Sequence, residues 1–295
     1  MNQRNGKSQP IDEATCQGSS SPPAEERPSR LGGWRNLFGP LGRYRPGWLR
    51  RDLAAGFRNC DPLTVPQWAH LPEVSSSEER LLAALPLRGK VVYDIGAHAG
   101  AYSLFFSRRV GPAGAVVAFE PSPKTFALLR RNIEINGVSN VRALECALGR
   151  ESTRRALYVL PGMPSTASLA PEARTPFRLR SAVVAIEPLD VLAPRLDLPS
   201  PDFIKIDVEG MEAEVLAGAT DTLRRWRPDV LVEIHGATPH ARKAQAERVA
   251  ILLARLGYGL THVESRRAVT PGRAAVAAVG HVFARVSRRP IPQIA

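Results

Sequence analysis

The sequence predicts an α/β fold built on a doubly wound, mostly parallel sheet, and three features predict it. From about residue 78 onwards, short apolar segments alternate with amphipathic segments of about 10–15 residues, which is typical of parallel strands joined by right-handed crossovers. The first clear strand ends on an acid and a glycine turn, in the segment VVYDIGAHAG that starts at Val91. The chain closes with two apolar segments around a polar turn, which predicts an antiparallel pair at one edge.

Each element has its own local signal. The segment SSEERLLAAL predicts a helix to about Leu85, with Ser77 as N-cap and Arg80 where a capping box would have Glu. The expected strands are Lys90–Ile95, Ala115–Phe119, VRALECALG, PDFIKIDVEG, RPDVLVEIHG and the closing pair YGLTHVE and GHVFARV. The expected helices are Ala101–Arg109, SPKTFALLRRNIEING, MEAEVLAGATDTLRRW and Ala241–Leu256. Residues 151–190 are expected to be antiparallel and irregular, with strands at Arg155–Leu160 and Ser181–Glu187.

The 295 residues are enough for one large domain with an extension. Residues 1–30 are polar and rich in Ser, Pro and Glu, so we expect a disordered tail. Residues 31–77 place aromatic side chains among Gly, Pro and Arg, which favours an ordered N-terminal extension packed on the main body. The catalytic domain is expected over residues 78–287, followed by a short C-terminal tail, 288–295.

The charge of the chain is strongly positive, with a net charge of +12. A polyanion partner is one interpretation. Only five of the 40 basic residues are lysines, however, and an excess of Arg beside many Ala and Pro is typical of a GC-rich genome. Because no basic stripe is interleaved with aromatic residues, we expect no nucleic-acid partner.

The chain lacks the long apolar segment that a membrane span needs, and its first residues lack the apolar core of a secretory signal. Cys16, Cys60 and Cys146 are widely spaced and fit neither a disulfide framework nor a CxxC metal site. A reducing compartment, and hence a cytoplasmic location, is the expectation.

The glycine turn discriminates between nucleotide cofactors. A dinucleotide site would read GxGxxG, whereas this turn reads GAHAG, with Gly96 and Gly100 four residues apart. Asp94, at the end of the first strand, would repel a pyrophosphate but favour a cation such as the sulfonium and ammonium of S-adenosylmethionine. Glu120 ends the second strand, where an acid can hold two ribose hydroxyls.

Four segments, DIGAHAGAYS, VVAFEPSPKTFALLRRNIEING, ALG and FIKIDVEGMEAEVLAGA, resemble the FkbM-type family of class I S-adenosylmethionine-dependent methyltransferases. The resemblance runs from about residue 78 to 240 and implies a seven-stranded Rossmann-like sheet, with O-methylation of a hydroxyl on a sugar or natural-product scaffold. This chain has His98 where the family usually has Asn. The cofactor-binding residues expected are Asp94, Gly96, Ala97, His98, Gly100, Tyr102, Glu120, Pro121, Glu145, Cys146 and Ala147.

Charged residues at the ends of the fourth and fifth strands are the catalytic candidates. Alternation along the fourth strand places Lys205, Asp207 and Glu209 on one side, where burial between apolar segments would be costly without a function. The alternative is that Lys205 and Asp207 form a structural ion pair while Glu209 caps the next helix. His235, after the fifth strand, has a pKa range suited to a base, although a solvent-facing role fits as well.

No metal site is predicted, because no ligand spacing is diagnostic. Asp207, Glu209, Glu233 and His235 could nevertheless hold one Mg²⁺ or Mn²⁺. Ser165–Ser168 is expected to contribute to a lid over the pocket. His70, His240, His262 and His281 are interpreted as incidental surface or packing residues.

These observations predict a methyltransferase that uses S-adenosylmethionine to O-methylate a hydroxyl of a sugar, glycan or natural-product acceptor. Two alternatives stay open at this point. An NAD(P)-dependent oxidoreductase would need the GxGxxG that the chain lacks. A non-catalytic basic binding protein on the same scaffold has only His98 in its favour. The sequence does not indicate an oligomeric state.

Overall fold

The structure is a computed structural model that describes residues 76–160, 163–169 and 179–286. Its strands are β1 (Val91–Ile95), β2 (Ala115–Phe119), β3 (Val141–Leu144), β4 (Ala147–Leu148), β5 (Thr153–Leu160), β6 (Met163–Ser168), β7 (Leu179–Glu187), β8 (Phe203–Ile206), β9 (Asp229–Glu233), β10 (Tyr258–His262), β11 (Ala268–Val269) and β12 (His281–Val286). Its helices are α1 (Ser77–Ala84), α2 (Ala101–Val110), α3 (Pro123–Ile135), α4 (Leu189–Arg195), α5 (Glu212–Ala217), α6 (Thr220–Trp226) and α7 (Pro239–Arg255), with a 3₁₀ helix at Ala274–Ala277.

The main sheet confirms the predicted α/β class. Among the described residues it has eight strands in the order β11-β10-β12-β9-β8-β1-β2-β3. The five strands from β9 to β3 are parallel, and β12, β10 and β11 continue the sheet in antiparallel pairs. The expected seven strands are therefore present, and the two-residue strand β11 adds an eighth. Strand order reverses at β1, which lies between β2 and β8, so the ligand crevice is expected there.

The four inner parallel strands, β9, β8, β1 and β2, are buried on both faces, which explains their mostly apolar sequence. On one face, Ile95 and Ile204 pack with residues of α5, α6 and α7. On the other, Val92 and Phe203 pack with α1 and α2. Residues that alternate along one strand thus serve two separate clusters, as a doubly wound sheet requires.

Residues 147–187 provide a second sheet, in the order β4-β7-β5-β6. This sheet accounts for the segment that the sequence predicts to be antiparallel and irregular, and both expected strands are found in β5 and β7. The segment VRALECALG divides between the two sheets, because β3 ends at Leu144 and β4 begins at Ala147. The segment expected to follow β8 as one helix forms α5 and α6, since α5 ends with Gly218 as its C-cap.

The first helix begins one residue earlier than predicted. Ser76, not Ser77, is its N-cap: the Ser76 hydroxyl accepts a hydrogen bond from the Glu79 amide at 3.1 Å. Glu79 in turn accepts from the Ser76 amide at 3.1 Å, so the capping box is complete. The run of three serines hid this arrangement, because only Ser76 lies three residues before Glu79.

The predicted tail 1–30, nearly all of the predicted extension 31–77 and the predicted tail 288–295 lie outside the described residues, as do Cys16, Cys60 and His70. Those predictions stay predictions. In the part of the chain that the structure describes, no helix is both long and apolar enough to span a bilayer.

Candidate active site

The glycine turn, residues 94–100, lies directly against the end of β8. The amide of Asp207 donates to the carbonyl of Ile95 at 2.9 Å. Gly96 has a φ of 86°, and a Cβ at this position would lie 1.8 Å from the backbone oxygen of Asp207. Only glycine allows this approach, which places the turn and the charged residues after β8 side by side. Gly100 also sits in a close contact, but its neighbour is the Leu129 side chain of α3.

Asp94 is a buried carboxylate with one open oxygen. The residue is 1% exposed, and its Oδ2 accepts a hydrogen bond from the Ser103 hydroxyl at 2.6 Å. Its Oδ1 is buried without a hydrogen-bond partner among the described residues. Burial raises the pKa of Asp94 to about 6, although Lys205 and the Ser103 hydrogen bond oppose the shift. Such an oxygen is an open position for a ligand that carries N–H groups or positive charge.

Glu120 is also buried, and it organises the glycine turn. Its Oε2 accepts from the amide of His98 at 2.9 Å, and its Oε1 accepts from the amide of Ser122 at 2.8 Å. Burial raises its pKa to about 7, despite those two backbone hydrogen bonds. Each carboxylate oxygen has a second lone pair, so Glu120 can still accept from two hydroxyls.

His98 has a left-handed backbone, with a φ of 51°. Its Nε2 is buried and has no hydrogen-bond partner in the described part of the chain. Burial lowers the pKa of His98, so the imidazole at the usual Asn position is neutral at neutral pH. A neutral ring can donate or accept one hydrogen bond at Nε2, depending on its tautomer.

The other predicted cofactor residues divide into two groups. Ala97, Cys146 and Ala147 are buried in apolar clusters, so Cys146 contributes to packing. Pro121 and Glu145 are half-buried at the ends of β2 and β3, and burial raises the pKa of Glu145. Tyr102 belongs to neither group, because it contacts Lys205 and Glu78.

A charged cluster lies beside the glycine turn. Its charged members are Glu78, Lys205, Asp207, Glu212, Glu233, His235 and His281. Lys205 is its most deeply buried cation, and Tyr102 packs against it. Lys205 is 1% exposed, and its Nζ lies 2.9 Å from Asp207 Oδ2. The ion pair between Lys205 and Asp207, one of the two alternatives for these residues, is therefore present. The same ammonium lies 4.3 Å from the centre of the Tyr102 ring, and the Tyr102 hydroxyl donates to Glu78 Oε2 at 2.7 Å. Burial would lower the pKa of Lys205, but the surrounding carboxylates raise it, so the side chain stays charged.

His235 lies among three carboxylates. Its Nδ1 is 3.0 Å from Glu212 Oε1, and its Nε2 is 3.4 Å from Glu233 Oε1 and 3.8 Å from Asp207 Oδ1. Burial alone would lower the pKa of His235, but the hydrogen bond to Glu212 and the nearby carboxylates of Glu233 and Asp207 raise it to about 12. The ring is therefore protonated at neutral pH in this arrangement, which does not favour the predicted role of His235 as the base.

Glu209 stands apart from these pairs. It follows β8 in a left-handed conformation, with a φ of 53°, and burial raises its pKa to about 7. No side chain caps α5, whose N-cap residue is Met211, so the alternative role of Glu209 as a helix cap is wrong. Non-glycine residues in this conformation cluster at functional sites.

His281 belongs to the cluster, so its interpretation as an incidental residue is wrong. Its Nδ1 lies 2.6 Å from Glu264 Oε1, and its Nε2 lies 3.4 Å from Glu78 Oε2 and 3.5 Å from Glu233 Oε2. Burial would lower the pKa of His281, but these carboxylates raise it to about 10. His240 is exposed and His262 packs against the Val279 carbonyl, as expected.

Sequence reasoning also missed Glu78 and Glu212. Glu78 lies in the first turn of α1, and Glu212 in the first turn of α5, where an acid ordinarily needs no explanation beyond the helix dipole. Glu212 is fully buried, which is the signal that sequence does not carry. His281 pairs with Glu233 across β12 and β9, and that register is set by the folded sheet.

The second sheet approaches the site through Ser168. Its hydroxyl donates to the backbone oxygen of Glu209 at 2.7 Å. Behind this contact lies an apolar cluster that joins the second sheet to Met211, at the start of α5. The predicted lid role of Ser165–Ser168 stays a prediction.

Comparison with known proteins identifies the family. The profile described as "Methyltransferase FkbM domain" matches residues 94–260, more than half of the chain. Methyltransferase 1 of Beauveria bassiana is 33% identical over 159 residues, which cover 48% of this chain and 64% of that protein. The chain thus spans slightly less than two thirds of the length of this relative.

Two further relatives have more specific names. The 31-O-demethyl-FK506 methyltransferase FkbM of Streptomyces tacrolimicus is 29% identical over 204 residues, covering 59% of this chain and 74% of that protein. The hexuronic acid methyltransferase AglP of Haloferax volcanii is 30% identical over 157 residues, covering 53% of this chain and 60% of that protein. The chain belongs to the FkbM methyltransferase family, whose cofactor is S-adenosylmethionine.

Proposed function

We propose that this chain transfers the methyl group of S-adenosylmethionine to a hydroxyl of a sugar, glycan or natural-product acceptor. The observation that carries the proposal is the contact between Gly96 and Asp207, which puts the glycine turn next to the charged cluster. A methyl donor held by the turn and a hydroxyl held by the cluster would then meet at one sheet edge. The names of two relatives, one acting on a hexuronic acid and one on an FK506 precursor, support these acceptor classes.

The residues of the turn fit this cofactor. Among the described residues no donor reaches Asp94 Oδ1, and the cofactor's ammonium can supply one. Glu120 has lone pairs left for two ribose hydroxyls, and the free Nε2 of His98 can complete one further hydrogen bond. When bound, the cofactor supplies a methyl group activated by its positively charged sulfur.

Proton removal is the chemistry left to the chain. Asp207 is paired with Lys205, and His235 is already protonated, so neither is the simplest proton acceptor. Glu209 takes part in none of the side-chain hydrogen bonds or ion pairs found among the described residues. In the proposed reaction its carboxylate accepts the proton of the acceptor hydroxyl as the oxygen gains the methyl group. The other products are S-adenosylhomocysteine and the methyl ether.

Calorimetry with S-adenosylmethionine and with NAD(P) tests the proposal against the two alternatives. We expect micromolar affinity for S-adenosylmethionine, on the order of −7 to −8 kcal/mol, and none for NAD(P). Screening candidate sugars, glycans and natural products with labelled S-adenosylmethionine would then identify the acceptor. Binding of NAD(P) alone would favour an oxidoreductase, and binding of neither cofactor would favour a non-catalytic protein.

The affinity for S-adenosylmethionine is expected to fall as pH falls through about 7 and then about 6, because burial raises the pKa values of Glu120 and Asp94 to those levels. The cofactor's ammonium and hydroxyl groups favour the ionised carboxylates. At low pH the carboxyl groups of Asp94 and Glu120 carry protons, which must dissociate before the cofactor binds. Each group can weaken binding by up to about tenfold per pH unit.

Calorimetry at a series of pH values, in two buffers of different ionisation enthalpy, measures both the affinity and the protons released. Asp94→Asn should bind more weakly at neutral pH and lose part of the pH dependence. An affinity that stays constant across the acidic range would show that these carboxylates do not bind the cofactor.

A further inference from the structure

Three side chains at the ends of β8 and β9 present ligand atoms to one point. These atoms are His235 Nε2, Asp207 Oδ1 and Glu233 Oε1, all within 4.8 Å of one another. The distances from Nε2 to the two oxygens, 3.8 Å and 3.4 Å, are long for hydrogen bonds. Two ligand atoms that each lie about 2.1 Å from one ion are separated by about 3.0–3.4 Å in octahedral or tetrahedral geometry. The two separations from Nε2 are therefore close to this spacing, and the two carboxylate oxygens lie within 4.8 Å of each other.

The second observation is that each of the three side chains has a partner on the side away from the proposed ion, and for His235 and Asp207 the contact with that partner is a hydrogen bond. His235 Nδ1 lies 3.0 Å from Glu212 Oε1. Asp207 Oδ2 is held by Lys205 at 2.9 Å. On Glu233, Oε2 lies 3.5 Å from His281 Nε2. Outer partners of this kind orient metal ligands, and a carboxylate behind a histidine fixes the tautomer that leaves Nε2 free.

The Glu212 carboxylate, which lies behind His235, is held in place by hydrogen bonds. It is fully buried, and its carboxylate accepts from the Gly210 amide at 2.9 Å and from Gln245 Nε2 at 2.5 Å. These contacts fix the position of the Glu212 carboxylate against the half-buried imidazole of His235. The three inner side chains, by contrast, are 20–33% exposed, so an ion can reach them from the crevice.

We propose that Asp207, Glu233 and His235 bind one divalent cation. The ligands are one imidazole nitrogen and two carboxylate oxygens, which suit Mn²⁺ and, with more water in the coordination shell, Mg²⁺. Without an ion, a proton on Nε2 occupies the space between the carboxylates; with an ion, Nδ1–H donates to Glu212 and Nε2 binds the metal.

The consequence for catalysis rests on the proposed function. Three protein ligands leave coordination positions for the acceptor hydroxyl. An ion bound to that oxygen lowers the pKa of the hydroxyl, so its proton can pass to the Glu209 carboxylate before or as the methyl group arrives. The ion is neither oxidised nor reduced.

Titration of the full chain with Mn²⁺, followed by the electron paramagnetic resonance signal of the free ion, tests the site without any acceptor. We expect one bound Mn²⁺ per chain. Asp207→Asn, Glu233→Gln and His235→Gln should each weaken binding at least about tenfold, and Glu212→Gln about 10–100-fold. The matched control is Glu214→Gln, which changes a half-buried carboxylate on the same helix that pairs with Arg248 instead.

Circular dichroism and thermal melting of each variant show which ones fold, and any folded ligand variant is sufficient for the comparison. Mn²⁺ should raise the melting temperature of the wild-type chain but not that of these variants. Absence of a stoichiometric site, or equal binding by the wild type and every folded ligand variant, would overturn the inference. If the chelated enzyme still transfers labelled methyl groups at full rate, the catalytic role of the ion is wrong and the proposed function stands. If Mn²⁺ binds but S-adenosylmethionine does not, only the proposed function fails.

Discussion

Gly96→Ala is expected to lower the melting temperature by about 10 °C and to weaken the binding of S-adenosylmethionine more than tenfold. The new Cβ would lie 1.8 Å from the carbonyl oxygen of Asp207, and a backbone atom cannot rotate away as a flexible side chain can. The φ of 86° adds the ordinary cost of placing an L-residue in this region. Relief of the overlap must move the end of β1 or the end of β8, and both carry site residues.

Gly89→Ala is the matched control, because Gly89 also has a positive φ, 72°, but nothing lies within 4 Å of the added Cβ. We expect this substitution to lower the free energy of unfolding by about 1 kcal/mol and the melting temperature by about 2–4 °C, from conformational strain alone. The cofactor affinity should not change. Differential scanning calorimetry and cofactor titration of the two variants separate the two effects. If both variants behave alike, the contact between the glycine turn and β8 is not needed for cofactor binding.

The parallel core could be predicted from the sequence because each inner strand is buried on both faces and reads as a mostly apolar segment. Val92 and Ile95 belong to different packing clusters, yet both had to be apolar. The two-residue strand β11 has no such signal, since a pair of hydrogen bonds to β10 defines it. The division of VRALECALG between two sheets also has no signal in the sequence, because it depends on where the chain leaves β3.

The site could be predicted only in part, for a related reason. Asp207, Glu209 and His235 follow buried strands, so their sequence context marks them as costly residues. His281 could not be distinguished from a surface histidine, because its role depends on its antiparallel pairing with Glu233. Glu212 reads as a helix-start acid, and only its burial beneath His235 shows that it orients the ring.

Glu209→Gln is expected to reduce turnover about 10²-fold or more while leaving the affinity for S-adenosylmethionine within a few-fold of wild type. The amide keeps the size of the side chain but cannot accept the hydroxyl proton at neutral pH.

Asp207→Asn should reduce turnover by a similar factor, because Asp207 balances the buried Lys205 charge and provides Oδ1 to the cluster. The exposed carboxylate of Glu134, which pairs with Arg131 on α3, gives the control Glu134→Gln, with no expected change.

Glu209→Gly distinguishes a catalytic role from a structural one. Glycine tolerates the φ of 53° at this position, so removing the side chain relieves strain and offsets the greater entropy of the unfolded chain. We therefore expect a melting temperature within a few degrees of wild type, together with loss of turnover at least as large as in Glu209→Gln. Single-turnover assays with labelled cofactor and thermal melting of the same preparations provide the two measurements. Full turnover in Glu209→Gly would show that the acceptor proton leaves by another route, such as directly to water, and that the left-handed conformation at Glu209 is only a feature of the turn between β8 and α5.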